Sequence, residues 1–206
     1  MMLALASRTG LALCVLALLL VIAWSGLEAL VSRAEPPGLE VPTSRLVLDR
    51  KGGLLRAFAV APGRVRLPVD LASVDPGFVA MLLAVEDRRF HRHPGVDPLA
   101  LARAGYQLAT RGRVVSGGST ITMQLVRLLG RVETRSVDGK LGQMLGALAL
   151  ERHAGKDAIL AAYLTVAPYG GNLEGLRAGS LAWLGKEPTR LSAAEAALLV
   201  ALPQAP

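Results

Sequence analysis

From Gly10 to Leu27 the chain runs eighteen residues without a charge: Gly-Leu-Ala-Leu-Cys-Val-Leu-Ala-Leu-Leu-Leu-Val-Ile-Ala-Trp-Ser-Gly-Leu. As a helix rising about 1.5 Å per residue it measures ~27 Å, just enough to cross a bilayer core. This run divides the chain before anything else is decided. Arg8 precedes it, and Trp24 sits where an interfacial aromatic belongs. With Arg8 inside, the rest of the chain lies outside the cytoplasmic membrane, although Arg33 on the far side thins that signal. A cleaved signal peptide is the rival, but Val31-Ser32-Arg33-Ala34 is a poor small-residue cleavage site, so an uncleaved anchor is expected. Leu11-Ala12-Leu13-Cys14 is not a lipoprotein box, because the apolar region follows the cysteine. Residues 1–31 therefore read as a cytoplasmic tip and transmembrane signal-anchor. Residues 32–44, with Pro36-Pro37-Gly38 and Pro42, read as a linker, and 45–206 as the folded domain.

Charge narrows the partners. The net charge is +7 and the pI about 10.3, which favours anions: phosphate, pyrophosphate or acidic lipid. Nucleic acid is disfavoured, since only 4% of residues are aromatic, the arginines are dispersed and no helix-turn-helix or zinc-finger pattern appears. Cys14 is the single cysteine and lies in the apolar run, leaving no internal disulfide and no cysteine-based metal site.

Two short apolar runs, Arg45 to Asp49 and Leu54 to Val60, flank Gly52-Gly53 and predict a small β-hairpin. No further strand is expected. Asp75-Pro76 and Asp97-Pro98 each open a helix with a capping carboxylate and an N1 proline, the first ending near Glu86 and the second near Thr110. Further helices are predicted from about Ile121 to Leu129, Ser136 to Ala154, Lys156 to Ala167 and Glu174 to Leu184. Ser192-Ala193-Ala194-Glu195 is a capping box for a last one, terminated by Pro203. The reading is a mainly α domain of about seven helices with a minor N-terminal β-hairpin.

Three stretches carry chemistry. Val85-Glu86-Asp87-Arg88-Arg89-Phe90-His91-Arg92-His93-Pro94-Gly95-Val96-Asp97 packs charge between two apolar helices, which is costly unless the groups are paired or line a cleft. A carboxylate held there near cations suits a general base; a solvated helix terminus is the plain alternative. Gly117-Gly118-Ser119-Thr120 before a helix leaves backbone N–H groups at its positive end for a phosphate or sugar oxygen, or else is an ordinary N-cap turn. Thr120, Gln124 and Arg127 share one face by their spacing, on a helix otherwise made of Ile121, Leu125, Leu128 and Leu129. Arg135 and Lys140 stand near a helix start, where cations do not help the helix itself, which points to an external anion. His91 and His93 make only a weak metal pair, with no third ligand at suitable spacing. His93 before Pro94-Gly95 is expected to fix the turn presenting Glu86.

Together these stretches resemble a known family. Glu86-Asp87-x-x-Phe90-x-x-His93-x-Gly95-Val96-Asp97, Gly117-Gly118-Ser119-Thr120-Ile121-Thr122-x-Gln124-Leu125, and Lys140 with Glu151 and Lys156-Asp157-x-Ile159-Leu160-x-x-Tyr163-Leu164 look like the peptidoglycan glycosyltransferase domain, family 51. Leu191-Ser192-x-x-Glu195-Ala196-Ala197-Leu198-Leu199 and Pro203-Gln204-Ala205-Pro206 match its pattern too. This is the lysozyme-like module of class A penicillin-binding proteins and of monofunctional transglycosylases, and the likeness runs from about Leu46 to the end. It implies an enzyme of bacterial cell wall biogenesis that polymerises lipid II into β-1,4-linked glycan strands at the outer, periplasmic side of the cytoplasmic membrane, releasing undecaprenyl pyrophosphate. By resemblance Glu86 is the general base, and Ser119, Thr120, Gln124, Arg127, Arg135, Lys140 and Gln143 bind substrate. Asp87, Phe90, His93, Gly117 and Gly118 support the site. The helices between the first two motifs would dip into the membrane to meet the lipid tail. Lipid II, the nascent glycan strand, the membrane and other cell wall synthesis proteins are the implied partners. No cofactor is evident in the residues, and the resemblance raises a divalent cation such as magnesium.

Two positions depart from the pattern. Many relatives have Arg-Lys-x-x-Glu where this chain reads Gly139-Lys140-Leu141-Gly142-Gln143, and Met123 stands where many have glutamine. Gln143 hydrogen-bonds but supplies no negative charge. Together the two look like the penicillin-binding protein 1C subgroup. Transpeptidase motifs of the Ser-x-x-Lys and Lys-Thr-Gly kind are absent, and the sequence reads as a C-terminally truncated domain. A non-catalytic lipid II-binding or scaffold subunit and a lytic transglycosylase stay open as alternatives.

Overall fold

The structure is a computed structural model that describes residues 2–113, 117–130 and 136–204, with side chains from Leu11 onward except Ala12. It divides into two units, residues 1–35 and 36–206, each taken by itself. In the first, helix α1 (Met2–Arg33) extends beyond the uncharged run at both ends. Its segment Leu13–Arg33 has mean hydropathy 2.3, long and apolar enough to cross a membrane.

The second unit opens with the expected hairpin. Strand β1 (Arg45–Leu48) pairs antiparallel with β2 (Leu54–Phe58), Arg45 opposite Phe58, with a bulge at Val47/Leu48. Asp49 closes the turn, its carboxylate accepting from the N–H groups of Lys51 and Gly53. One pairing was not expected: β3 (Val65–Arg66) lies parallel to β4 (Leu173–Glu174), fastened by Arg66 against the Glu174 carboxylate. Two residues per strand are too few to leave an alternation in the sequence.

Among the described residues seven helices follow: α2 (Pro76–Glu86), α3 (Pro98–Arg111), α4 (Ile121–Gly130), α5 (Val137–His153), α6 (Lys156–Val166), α7 (Leu176–Leu184) and α8 (Ala193–Ala201), the last running into a 3-10 turn, Leu202–Gln204. Their starts are where the caps put them. Asp75 accepts from Gly77 and Phe78, Asp97 from Leu99 and Ala100, and Ser192 with Glu195 forms the reciprocal capping box. Helix α4 is the hub, with Ile121, Met123 and Leu125 sealed from solvent, and it packs on both α5 and α6. Gly146 allows the approach of α5, because a Cβ there would sit 2.8 Å from Cγ1 of Val126.

Helix α2 packs on α8, and hydrogen bonds set their direction. At one end, Asp75 accepts from the N–H of Leu191 and donates its own N–H to the Pro188 carbonyl. At the other, Glu86 in the last turn of α2 meets Gln204 just past α8. The two helices therefore run parallel, and their C-terminal ends face the same cavity.

Candidate active site

Glu86 and Asp87 are neighbours with opposite fates. Helix α2 ends at Asp87, whose backbone (φ −156, ψ 73) turns the chain and sends its side chain inward. There, 6% exposed, its carboxylate accepts from the backbone N–H of Ile121 at 3.0 Å and from Nε2 of His93 at 2.9 Å. Nδ1 of His93 accepts from the Gly95 N–H, so the ring proton sits on Nε2 and both nitrogens are committed. Glu86 is half-buried and faces the cavity. His93 thus fixes the turn as expected, and Asp87 ties that turn to the start of α4.

At the start of α4 two N–H groups are already taken, as in an N-cap turn: Ile121 donates to Asp87, and Met123 donates to Oγ1 of Thr120. Thr120 is 2% exposed and its hydroxyl donates to the Gly95 carbonyl, so it caps the helix and braces the turn, and what remains of its surface borders the larger of two cavities beside Glu86. Gly95 is required there, with φ +97 and room for no Cβ, which would stand 2.4 Å from the Ala147 carbonyl oxygen. Gly118 is tight against Leu101, whereas Gly117 borders open space. Phe90 is in the core, its ring under the Lys156 ammonium and edge-on to His93.

The cavity before Glu86 has a volume of about 490 Å³ and is lined by Glu86, Ser119, Gln124, Arg127, Lys140, Gln143, Pro168, Pro203 and Gln204. Five of the substrate-binding residues expected from sequence are thereby brought together: Ser119, Gln124, Arg127, Lys140 and Gln143. Arg135 lies outside the described residues. A second cavity of about 1180 Å³ also borders Glu86 and Ser119 and extends past Arg88, Arg92 and Arg103 along α3. Glu86 stands where the two meet.

The electrostatics are those of an anion site. Lys140 donates to the Ser119 hydroxyl, and its pKa is lowered first by burial and then by the neighbouring Arg127. Two cations held close and partly dry favour a bound anion. Oε2 of Glu86 accepts from Nε2 of Gln124 at 2.8 Å, and Oε1 accepts from Nε2 of Gln204 at 2.8 Å. Gln124 is itself oriented by the Tyr163 hydroxyl, which donates to its Oε1. Burial, and then the Glu86 charge, push the Tyr163 phenol well above its ordinary range, so it stays a donor.

Gln143 is 3% exposed, and its Nε2 has no partner among the described residues. Met123, the other departure, is fully buried on the core side of α4, where no substrate reaches it. Among the described residues Glu86 is the one carboxylate lining the smaller cavity, both its oxygens accept amide hydrogens, and two cations share the lining.

Sequence reasoning missed Gln204 and Tyr163 as site residues, although both lie in stretches quoted for the resemblance. It also missed the buried link behind the turn, in which Thr122 donates to Glu151 and Lys156 bridges Glu151 to the His93 carbonyl. Only the spacing to α4 could have hinted at either.

A family model described as transglycosylase matches residues 52–206. The chain is 48% identical over 167 residues to penicillin-binding protein 1C of Escherichia coli strain K12, covering 81% of this chain and 22% of that protein. It is 36% identical to penicillin-binding protein 1A of Aquifex aeolicus, covering 80% and 22%, and 35% identical to penicillin-binding protein 1F of Bacillus subtilis, covering 68% and 20%. The chain thus spans 20% to 22% of the length of these curated relatives. The matched stretch includes every residue of the Glu86 cavity and well over half of the sequence, and the chain belongs to the transglycosylase family, the glycosyltransferase family 51 of the resemblance.

Proposed function

We propose that this chain is a peptidoglycan glycosyltransferase that joins lipid II units on the outer side of the cytoplasmic membrane, anchored by α1. The observation that carries the reading is the opposition of one carboxylate, Glu86, to Lys140 and Arg127 across a single cavity. Glu86 takes the proton of the acceptor's 4-hydroxyl as that oxygen bonds to the donor's anomeric carbon. The bond from that carbon to the lipid pyrophosphate breaks, and the pyrophosphate leaves with the electron pair. Lys140 and Arg127 stabilise the negative charge that grows on it, and Ser119, held by Lys140, orients its oxygens. Two cavities meeting at Glu86 provide a place for donor and acceptor on either side of the base.

A second reading, a lipid II-binding subunit without turnover, draws on Gln143, a neutral amide where many relatives carry an acid. Labelled lipid II incubated with the protein in detergent micelles separates the two. Wild type should form glycan chains, and Glu86→Gln should lose at least about 100-fold of that activity while folding normally. Chain formation by Glu86→Gln at the wild-type rate removes Glu86 as the base. Binding by wild type without chains favours the subunit, and release of fragments from mature wall favours a lytic enzyme.

A further inference from the structure

Glu86 is held from two sides by amides that come from distant parts of the chain. Gln124 on α4 reaches Oε2, and Gln204, on the 3-10 turn after α8, reaches Oε1, each at 2.8 Å. A carboxylate bonded at one oxygen still turns about its last side-chain torsion, which is broad and roughly two-fold. Donors on both oxygens fix its plane, and with it the direction of the lone pairs left to receive a proton. The Gln124 amide cannot flip, because Tyr163 claims its oxygen. Gln204 is placed by the scaffold instead: Leu202 packs against the core, and the parallel pairing of α8 with α2, fastened at Asp75 and Leu191, brings residue 204 opposite the end of α2.

We propose that Gln204 is a positioning residue for the general base, which orients the Glu86 carboxylate for proton removal from the acceptor hydroxyl. This rests on the glycosyl-transfer reading above. Amide N–H groups donate and do not accept, so the two amides match the acceptor oxygens of a carboxylate. Among the described residues the charged and titratable groups that line the cavities with Glu86 are Arg127 and Lys140 in the smaller, and Asp87, Arg88, Arg89, His91, Arg92, Asp97 and Arg103 in the larger, with Tyr163 behind Gln124.

The test uses the full chain in detergent micelles with labelled lipid II, comparing wild type, Q204M, Q204E and E86Q. Q204M keeps the shape and loses the donor; kcat should fall about tenfold with KM within about twofold, since only alignment in the transition state is lost. Q204E puts a second carboxylate against the first, and such a pair holds a shared proton. Its rate should be lower than that of Q204M at neutral pH, with the acid limb of the rate profile moved up by about one pH unit or more and activity recovering as pH rises. A residue serving structure alone would not move that limb. Wild-type kcat in Q204M, a loss confined to KM, or a Q204E profile coincident with wild type each overturns the proposal. If those results come with an inactive E86Q, the function reading stands and only the role of Gln204 falls. An active E86Q instead removes the base itself.

Discussion

Asp87→Asn separates the scaffold from the chemistry with a change of a single atom. The buried Asp87 carboxylate accepts two hydrogen bonds, from the Ile121 N–H and the His93 Nε2–H, and it donates none. Asparagine has one acceptor oxygen and one donor group, so one of the two buried donors must face another donor. An unsatisfied buried donor costs about 1–3 kcal/mol, and the surviving bond loses its charge assistance, worth about 1 kcal/mol. The volumes match, so no cavity term is added. The sum is about 2–4 kcal/mol, a large share of the ~5–15 kcal/mol that holds an ordinary domain folded. Glu86→Gln, at a half-exposed side chain whose amide can turn to water, should cost under about 1 kcal/mol. The assay is urea unfolding of the full chain in non-ionic micelles, followed by circular dichroism at 222 nm. Asp87→Asn should unfold at lower urea with unchanged slope. A midpoint equal to wild type, or an equal loss in Glu86→Gln, would refute the assignment of structure to one carboxylate and chemistry to the other.

Gly95→Ala should cost more than about 3 kcal/mol or prevent folding, because the new Cβ meets the Ala147 carbonyl at 2.4 Å in a left-handed backbone; thermal melts check this. Lys140→Met should abolish chain formation yet raise the melting point at neutral pH. The folded pKa of Lys140 lies below its free value of 10.5, so the folded state disfavours its charge, and this group raises wild-type stability only as pH climbs through the folded pKa toward 10.5. Activity should accordingly fall on the alkaline side before ordinary lysines titrate, and Lys140→Arg should push that limb to higher pH. Glu195, held at about 2 by Lys186 and then by Ser192, contributes stability that is present above pH 4.5 and lost as pH falls toward 2. Glu195→Gln should flatten acid unfolding in that window, modestly and less so in high salt, because the pair is exposed.

Local rules wrote much of this fold in plain view. Asp75-Pro76, Asp97-Pro98 and the Ser192/Glu195 box are short-range devices, and each helix begins where they stand. The pairing of β3 with β4 was illegible because two residues carry no period. Within the site, the spacing of Gln124 and Arg127 put them on one face of α4, and both line the cavity. At Thr120 the same spacing leaves something out, for its N-cap hydroxyl turns inward to the Gly95 carbonyl while the residue still borders the larger cavity. Spacing along a helix says which residues are neighbours, and it does not say which of them a distant turn will claim. Gln204 illustrates the limit: 118 residues separate it from Glu86, and one hydrogen bond joins them.

The bonds of Asp75 to Leu191 and Pro188 fix α2 against α8 at one end, a pivot from which the rest of the packed pair is aligned. The pivot lies about 16 Å from the tips, the length of eleven helical residues. A small rotation allowed at Asp75 or Leu191 is magnified at the far end, where the gap between Glu86 and Gln204 is set. Substitutions around that hinge, remote from any sugar, should therefore alter turnover before they alter melting.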